Sequence, residues 1–318
     1  MFRRLSCLAV FLFFSLQAFG QSFPAGPVTV IVPLAPGDAA DVSSRAMGEE
    51  MAKTLGAPVL IVNRPGAGGA VGAAAVAQAK KDGQTILFAQ NSALTIRAAL
   101  DPQSITYDAQ RDLAPLGISS RTPSVLVVRS DAPYKTFAEL VDYAKRNPGQ
   151  LRIGHPGAGS AGELCIQLIN ALTGTDLVPV PHTGAAPAVG ALRGGHIEGV
   201  VLALGALGPQ IKAGAFRGLA TSIRAPEYAD IPTLKELGYR EDLFGVWFSY
   251  LAPAGIPDDA RKALVAAIEQ AVKSPAVAAR LAPLGILQVH GTPEQQAAEI
   301  RDEFRRVSDV AKRAGLAK

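Results

Sequence analysis

The stretch Gly157-Ala158-Gly159-Ser160-Ala161-Gly162 spells G-x-G-x-x-G between a strand-like run, Leu151 to Gly154, and the start of an apolar helical run. Glycines at this spacing let backbone N–H groups approach an anion, and a helix start adds partial positive charge. A dinucleotide site also needs an acid near the end of the following strand, where His182 and Thr183 stand instead. The same donors suit a carboxylate, so no cofactor is expected. Ser160, with His155 or His182 as base, would make a hydrolase, but the nucleophile elbow G-x-S-x-G fails at Ala158. The four histidines, at 155, 182, 196 and 290, have no partner three or four residues away and no cysteine pair. Neither a catalytic residue nor a metal ligand is expected.

Comparable loops occur earlier in the chain: Pro33 to Asp41, Asn63-Arg64-Pro65-Gly66-Ala67-Gly68-Gly69, and Gln90-Asn91-Ser92. Each follows a short apolar run, and from residue 28 such runs alternate with longer helical ones. That alternation is the pattern of an α/β sheet with parallel strands. Val28–Val32, 58–62, 85–88, 124–128, 151–154 and 177–180 read as strands, with a return strand over 244–251. Helices are expected over 41–55, 70–79, 257–272 and 292–314, and after each strand of the second series. Thr136 with Glu139 three residues on forms a capping box. Two series imply two lobes, one of residues 21–123 plus 247–318 and one of 124–246, joined by a hinge of two strands with a cleft between them.

The 318 residues suit two domains, and 48% hydrophobic with 18% charged residues excludes a disordered chain. Residues 1–20 read as a secretory signal, with Arg3 and Arg4 ahead of an apolar run from Leu8 to Leu16 that is too short to span a bilayer. Cleavage before Gln21 leaves an exported, periplasmic protein; Cys7 lies at the wrong end of the run for a lipid anchor. Cys165 then remains alone, so no internal disulfide forms, and Leu164 and Ile166 beside it suggest a buried thiol. The net charge of +4 falls to +2 without Arg3 and Arg4, too little and too dispersed for nucleic acid.

Taken together, the loops resemble the Bug family, the extracytoplasmic (TctC-like) solute receptors of tripartite tricarboxylate transporters. The likeness runs through Val30-Ile31-Val32-Pro33, the Asn63–Gly69 stretch with Gly72, Lys81-Asp82-Gly83-Gln84-Thr85, Ile211-Lys212-Ala213-Gly214, Ile231-Pro232-Thr233 and Leu251-Ala252-Pro253-Ala254-Gly255. It covers nearly the whole mature chain. It implies a type II periplasmic-binding-protein fold, in which a monomer closes on a small carboxylate and delivers it to the permease subunits in the membrane. Site residues carried over by position are Gly37, Asp38, Ala39, Ala40, Asn91 and Ser92 from one lobe, and Gly157, Ala158, Gly159, Ser160, His182 and Thr183 from the other.

Three departures bear on the ligand. Asp38 stands where the family often has glycine, and it either caps a helix or meets a ligand cation; the cap is preferred because Asp favours that position. His182 and Thr183 replace a common Tyr-Lys pair, and Ala203 stands where Asp is frequent. A less polar far end follows, favouring an aromatic or aliphatic acid over an amino acid. A ligand-dependent sensor serving a membrane kinase would need the same closed shape and is the alternative function.

Overall fold

The alternation seen in the sequence becomes two sheets in the computed structural model, which describes residues 23–313 and 315. The expected signal segment, residues 1–20, lies outside the described residues. The chain order is β1 (Val28–Val32), α1 (Ala39–Leu55), β2 (Val59–Asn63), α2 (Ala70–Ala77), β3 (Thr85–Gln90), α3 (Arg97–Leu100), β4 (Leu113–Thr122), β5 (Ser124–Arg129) and α4 (Phe137–Arg146). It continues with β6 (Arg152–His155), α5 (Ala161–Thr173), β7 (Val178–Pro181), α6 (Ala185–Arg193), β8 (Gly199–Ala203), α7 (Leu204–Lys212) and β9 (Phe216–Thr221). The last elements are β10 (Val246–Pro253), α8 (Asp258–Lys273), α9 (Pro275–Leu281), β11 (Leu287–Gly291) and α10 (Pro293–Arg313).

The first sheet has the order β11-β4-β10-β3-β1-β2 and the second β7-β6-β8-β5-β9. Within the first, β2, β1 and β3 run parallel while β10 and β4 are antiparallel to their neighbours. In the second, β7, β6 and β8 are parallel and β5 is antiparallel to both β8 and β9. The fold is thus mixed α/β in two lobes, each a sheet covered by helices. Buried Trp247, Phe248, Tyr250 and Phe88 anchor the centre of the first sheet. Each such side chain contributes about 1.5–3 kcal/mol relative to exposure.

Between the sheets the chain passes through Pro123 and returns through Gly245, and the crossings lie side by side, with Thr122 opposite Val246. The final helix ties both ends together. Gln296 on α10 accepts from Gly117 N–H at 2.7 Å and donates to Tyr250 O at 3.1 Å, both in the first sheet. Val307, Val310 and Ala311, further along α10, pack in the core cluster that holds Leu126, Ile153 and Leu164.

Candidate functional site

In open α/β sheets a ligand sits beyond the carboxyl ends of parallel strands, where the winding direction reverses. Here α1 carries the chain from β1 to β2, while β3 lies on the other side of β1, so the reversal falls between β1 and β3. In the second sheet α5 leads from β6 to β7, and β8 lies on the other side of β6. These two reversals select the loops 33–38 and 91–92 in one lobe and 156–160 and 203–204 in the other. Eleven of the thirteen sequence-predicted site residues stand in them or on the adjoining helix start. His182 and Thr183 follow the edge strand β7 instead.

The loops after β1 and β6 are built alike. Gly37 (φ 84°) precedes the N-cap Asp38, whose carboxylate accepts from Ala40 N–H at 3.1 Å. Gly159 (φ 74°) precedes the N-cap Ser160, whose hydroxyl accepts from Glu163 N–H at 3.2 Å. Left-handed backbone at both glycines is what turns each strand into its helix. In each loop an acid one turn later takes the glycine N–H: Gly37 donates to Asp41 at 2.9 Å and Gly159 to Glu163 at 2.7 Å. Among the described residues the N–H groups of Ala161 and Gly162 have no acceptor in the protein, whereas those of Ala40 and Ala39 serve the Asp38 carboxylate, so the start of α5 presents bare donors. The third glycine of the motif serves packing, since a Cβ on Gly162 would lie 2.5 Å from Val201 O.

The acids differ in state. Burial raises the Asp41 carboxyl, but bonds from Arg45, Gly37 and Asn63 outweigh it and hold the group below its ordinary value. Asp38 keeps an exposed surface, yet desolvation by the surrounding loops pushes its carboxyl up against the opposing Ala40 N–H. The capping role expected for Asp38 is therefore the one its geometry shows.

Asn91 is fully buried, and its amide donates to Gly245 O at 3.0 Å and to Glu303 at 2.8 Å. It supports the loop from the hinge side, and Ser92 beside it is also buried. Ala203 is the N-cap of α7. Thr183 is exposed and His182 half-buried. His155 Nδ1 lies 3.0 Å from Gly157 O, and His182 Nδ1 3.0 Å from Val180 O. A carbonyl can only accept, so both nitrogens carry the proton toward backbone, and neither histidine is bonded to Ser160. Burial pushes the His155 imidazolium below its ordinary value. Cys165 is buried, donates to Phe244 O at 3.4 Å, and burial pushes its thiol up to about 12.

Two features at the lobe boundary were not visible in the sequence. Arg97, at the start of α3, runs between the loops of the two lobes: a Cβ on Gly68 would lie 3.6 Å from its Cδ, and one on Gly159 3.4 Å from its Nη1. Its Nε donates to Ser104 at 3.0 Å, leaving the guanidinium tip beside the second loop. At the other contact, Gly205 on α7 abuts the Leu284 carbonyl so closely that a Cβ there would overlap it. A separate cavity of about 260 Å³ lies at the crossings, lined by Thr122, Ser222, Phe244, Trp247, Glu303 and Arg306 among others, and contains none of the expected ligand residues.

Two lobes, a helix start after a parallel strand in each, and paired crossings are the architecture of a solute-binding receptor, and comparison with known proteins carries this further. Residues 43–316 match the model of the tripartite tricarboxylate transporter family receptor, and the chain belongs to that family. It is 33% identical to Protein BugT of Bordetella pertussis over 93% of this chain and 91% of BugT. Among solved structures it is similar to a periplasmic transporter (34% identity, TM-score 0.84, covering 93% of this chain and 99% of that one). It is also similar to MatC from Rhodopseudomonas palustris with bound malate (32%, 0.81, 91% and 99%) and to a further R. palustris protein solved with adipate (28%, 0.84, 93% and 99%). The family and these neighbours are receptors rather than enzymes. No helix among the described residues is long and apolar enough to cross a membrane.

Proposed function

We propose that the protein is a periplasmic receptor that closes its lobes on a small organic acid and passes it to the permease of a tripartite tricarboxylate transporter. The observation that carries this reading is the start of α5, where, among the described residues, the N–H groups of Ala161 and Gly162 have no acceptor. A carboxylate leaving water needs replacement donors, and these supply them without a counter-charge. The relatives solved with malate and adipate support a dicarboxylate as first probe. The apolar Ala203 at the head of α7 favours an aliphatic or aromatic acid over an amino acid.

A thermal-shift screen of the mature protein tests this with malate, adipate, benzoate, glutamate and a diamine. A ligand at 100 times its dissociation constant adds about 2.7 kcal/mol, which raises the midpoint by several degrees. Shifts with the simple acids and none with the diamine are the expected result. Shifts confined to glutamate or to the diamine would turn Asp38 toward the ligand and overturn the acid class.

A further inference from the structure

Glu303 is a carboxylate on the inward face of α10, 5% exposed, with no cation among the described residues bonded to it. A buried charge without an ion pair is costly, and only a full set of donors holds it in place. Three donors do so here: Asn91 Nδ2 at 2.8 Å, Thr95 Oγ1 at 2.7 Å and Trp247 Nε1 at 3.0 Å. They come from different places. Asn91 and Thr95 belong to the helical turn that leaves β3 at the ligand side, and Trp247 stands on β10 just past the return crossing. Asn91 closes the ring by donating also to Gly245 O, in the crossing itself, at 3.0 Å. The cavity beside Trp247, Phe244 and Gly245 leaves the crossing room to shift.

We infer that Glu303 is a positioning residue that couples the Asn91–Thr95 turn to the return crossing, so that movement at the ligand side and movement of the hinge occur together. The four bonds leave no independent path: Asn91 cannot turn without releasing either Glu303 or Gly245, and Thr95 and Trp247 share one carboxylate oxygen. Burial raises the Glu303 carboxyl to about 7 against those donors, consistent with a group kept in an unfavourable place. The coupling rests on the ligand-side assignment of the turn proposed above, but its test needs no ligand.

Amide hydrogen exchange and Trp247 emission are measured on the mature wild type and on Glu303→Gln, Thr95→Val and Thr95→Ser. Glutamine cannot accept from Asn91 with its amide nitrogen, and valine removes the Thr95 hydroxyl, which bonds Glu303 and Asn91 O alike, so the 245–248 response is what reports the link through Glu303. Both are expected to speed exchange at least tenfold in residues 91–95 and in 245–248 together, to shift the Trp247 emission, and to leave β6 and α5 at wild-type rates. Thr95→Ser restores the wild-type pattern. Faster exchange in Thr95→Val confined to 91–95, or spread evenly over the protein, overturns the coupling in favour of a structural role; Thr95→Val decides the matter alone if Glu303→Gln does not fold. Coupled exchange that adipate and malate leave unchanged supports the coupling while removing the ligand reading.

Discussion

The loops after β1 and β6 share one plan and differ in how their acid is partnered. In the first, Asp41 takes the Gly37 N–H and is neutralised locally by Arg45 one turn later, with Nη2 2.8 Å from its carboxylate. In the second, Glu163 takes the Gly159 N–H and, among the described residues, has no ion pair; the guanidinium nearest the loop is Arg97 of the other lobe, whose own ion pair is with Asp101 at 3.8 Å. One loop carries its own ion pair, and the other lies against a cation of the other lobe. Contacts between lobes are the ones that a change in lobe separation makes or breaks, and a receptor needs such contacts if ligand binding and closure are to be linked.

The largest effect is expected from preventing the approach. Gly205→Val places side-chain carbons where the Leu284 carbonyl sits, so the lobes cannot reach this separation. Affinity for a binding acid should fall about a hundredfold, roughly 2.8 kcal/mol. The ligand-free melting midpoint should stay within a few degrees of wild type, because an open form relieves the overlap. Unchanged affinity in calorimetric titration would mean that the contact is no part of closure.

Paired glycine substitutions break the comparison more finely. Gly37→Ala and Gly159→Ala both force a side chain into left-handed backbone, at about 1–2 kcal/mol each in stability. Nothing lies within 4 Å of a Cβ at Gly37, whereas one at Gly159 meets Arg97. At 3.4 Å that is ordinary van der Waals contact, so it is the bulkier Gly159→Leu, and not Gly37→Leu, that should also displace the guanidinium and weaken binding, by several-fold. Equal losses of affinity in the two variants would erase the distinction between the loops. Arg97→Met should weaken binding about fivefold, roughly 1 kcal/mol, and flatten its salt dependence, while Arg45→Met should lower stability and leave affinity alone.

Which of these features the sequence displays depends on the range of the interactions behind them. The N-cap Thr136 is legible because the cap and the acid three residues later are local, and the structure shows it formed, as it does the same arrangement at Ser160. In α4 the return bond goes to Lys135 N–H, one residue earlier than the usual box. β4 is not legible: it contains Pro115 and Gly117 with polar Ser119, Ser120 and Arg121, and it is a strand because β10 and β11 pair with it and Gln296, 179 residues away, accepts from Gly117. Asn91 was recognisable as a loop residue, but its bonds to Gly245 and Glu303 reach 154 and 212 positions on, beyond any local pattern. Arg97 and Gly205 matter for the same reason, through contacts that exist only between lobes.

The smallest effect separates the two acids of the first loop by the sign of their pH dependence. Asp41 has a folded pKa below its unfolded value, so its stabilisation is present above the unfolded pKa and is lost as pH falls through the folded one. Asp38 is raised, so its contribution is greatest below the unfolded value of 3.8 and disappears as pH rises through the folded pKa. Urea unfolding of Asp41→Asn should therefore lack part of the acid-side decline. Asp38→Asn keeps a good cap and should remove a decline that wild type shows above pH 4. In the second loop Ser160 occupies the same cap without a charge, so Ser160→Ala should lower stability by about 1 kcal/mol at every pH. Asp38→Asn should in addition strengthen the binding of acids, since it removes a like charge from the loop. Weaker acid binding in that variant would mean that Asp38 holds a positively charged group of the ligand, and that the two loops differ in what they bind as well as in how they are neutralised.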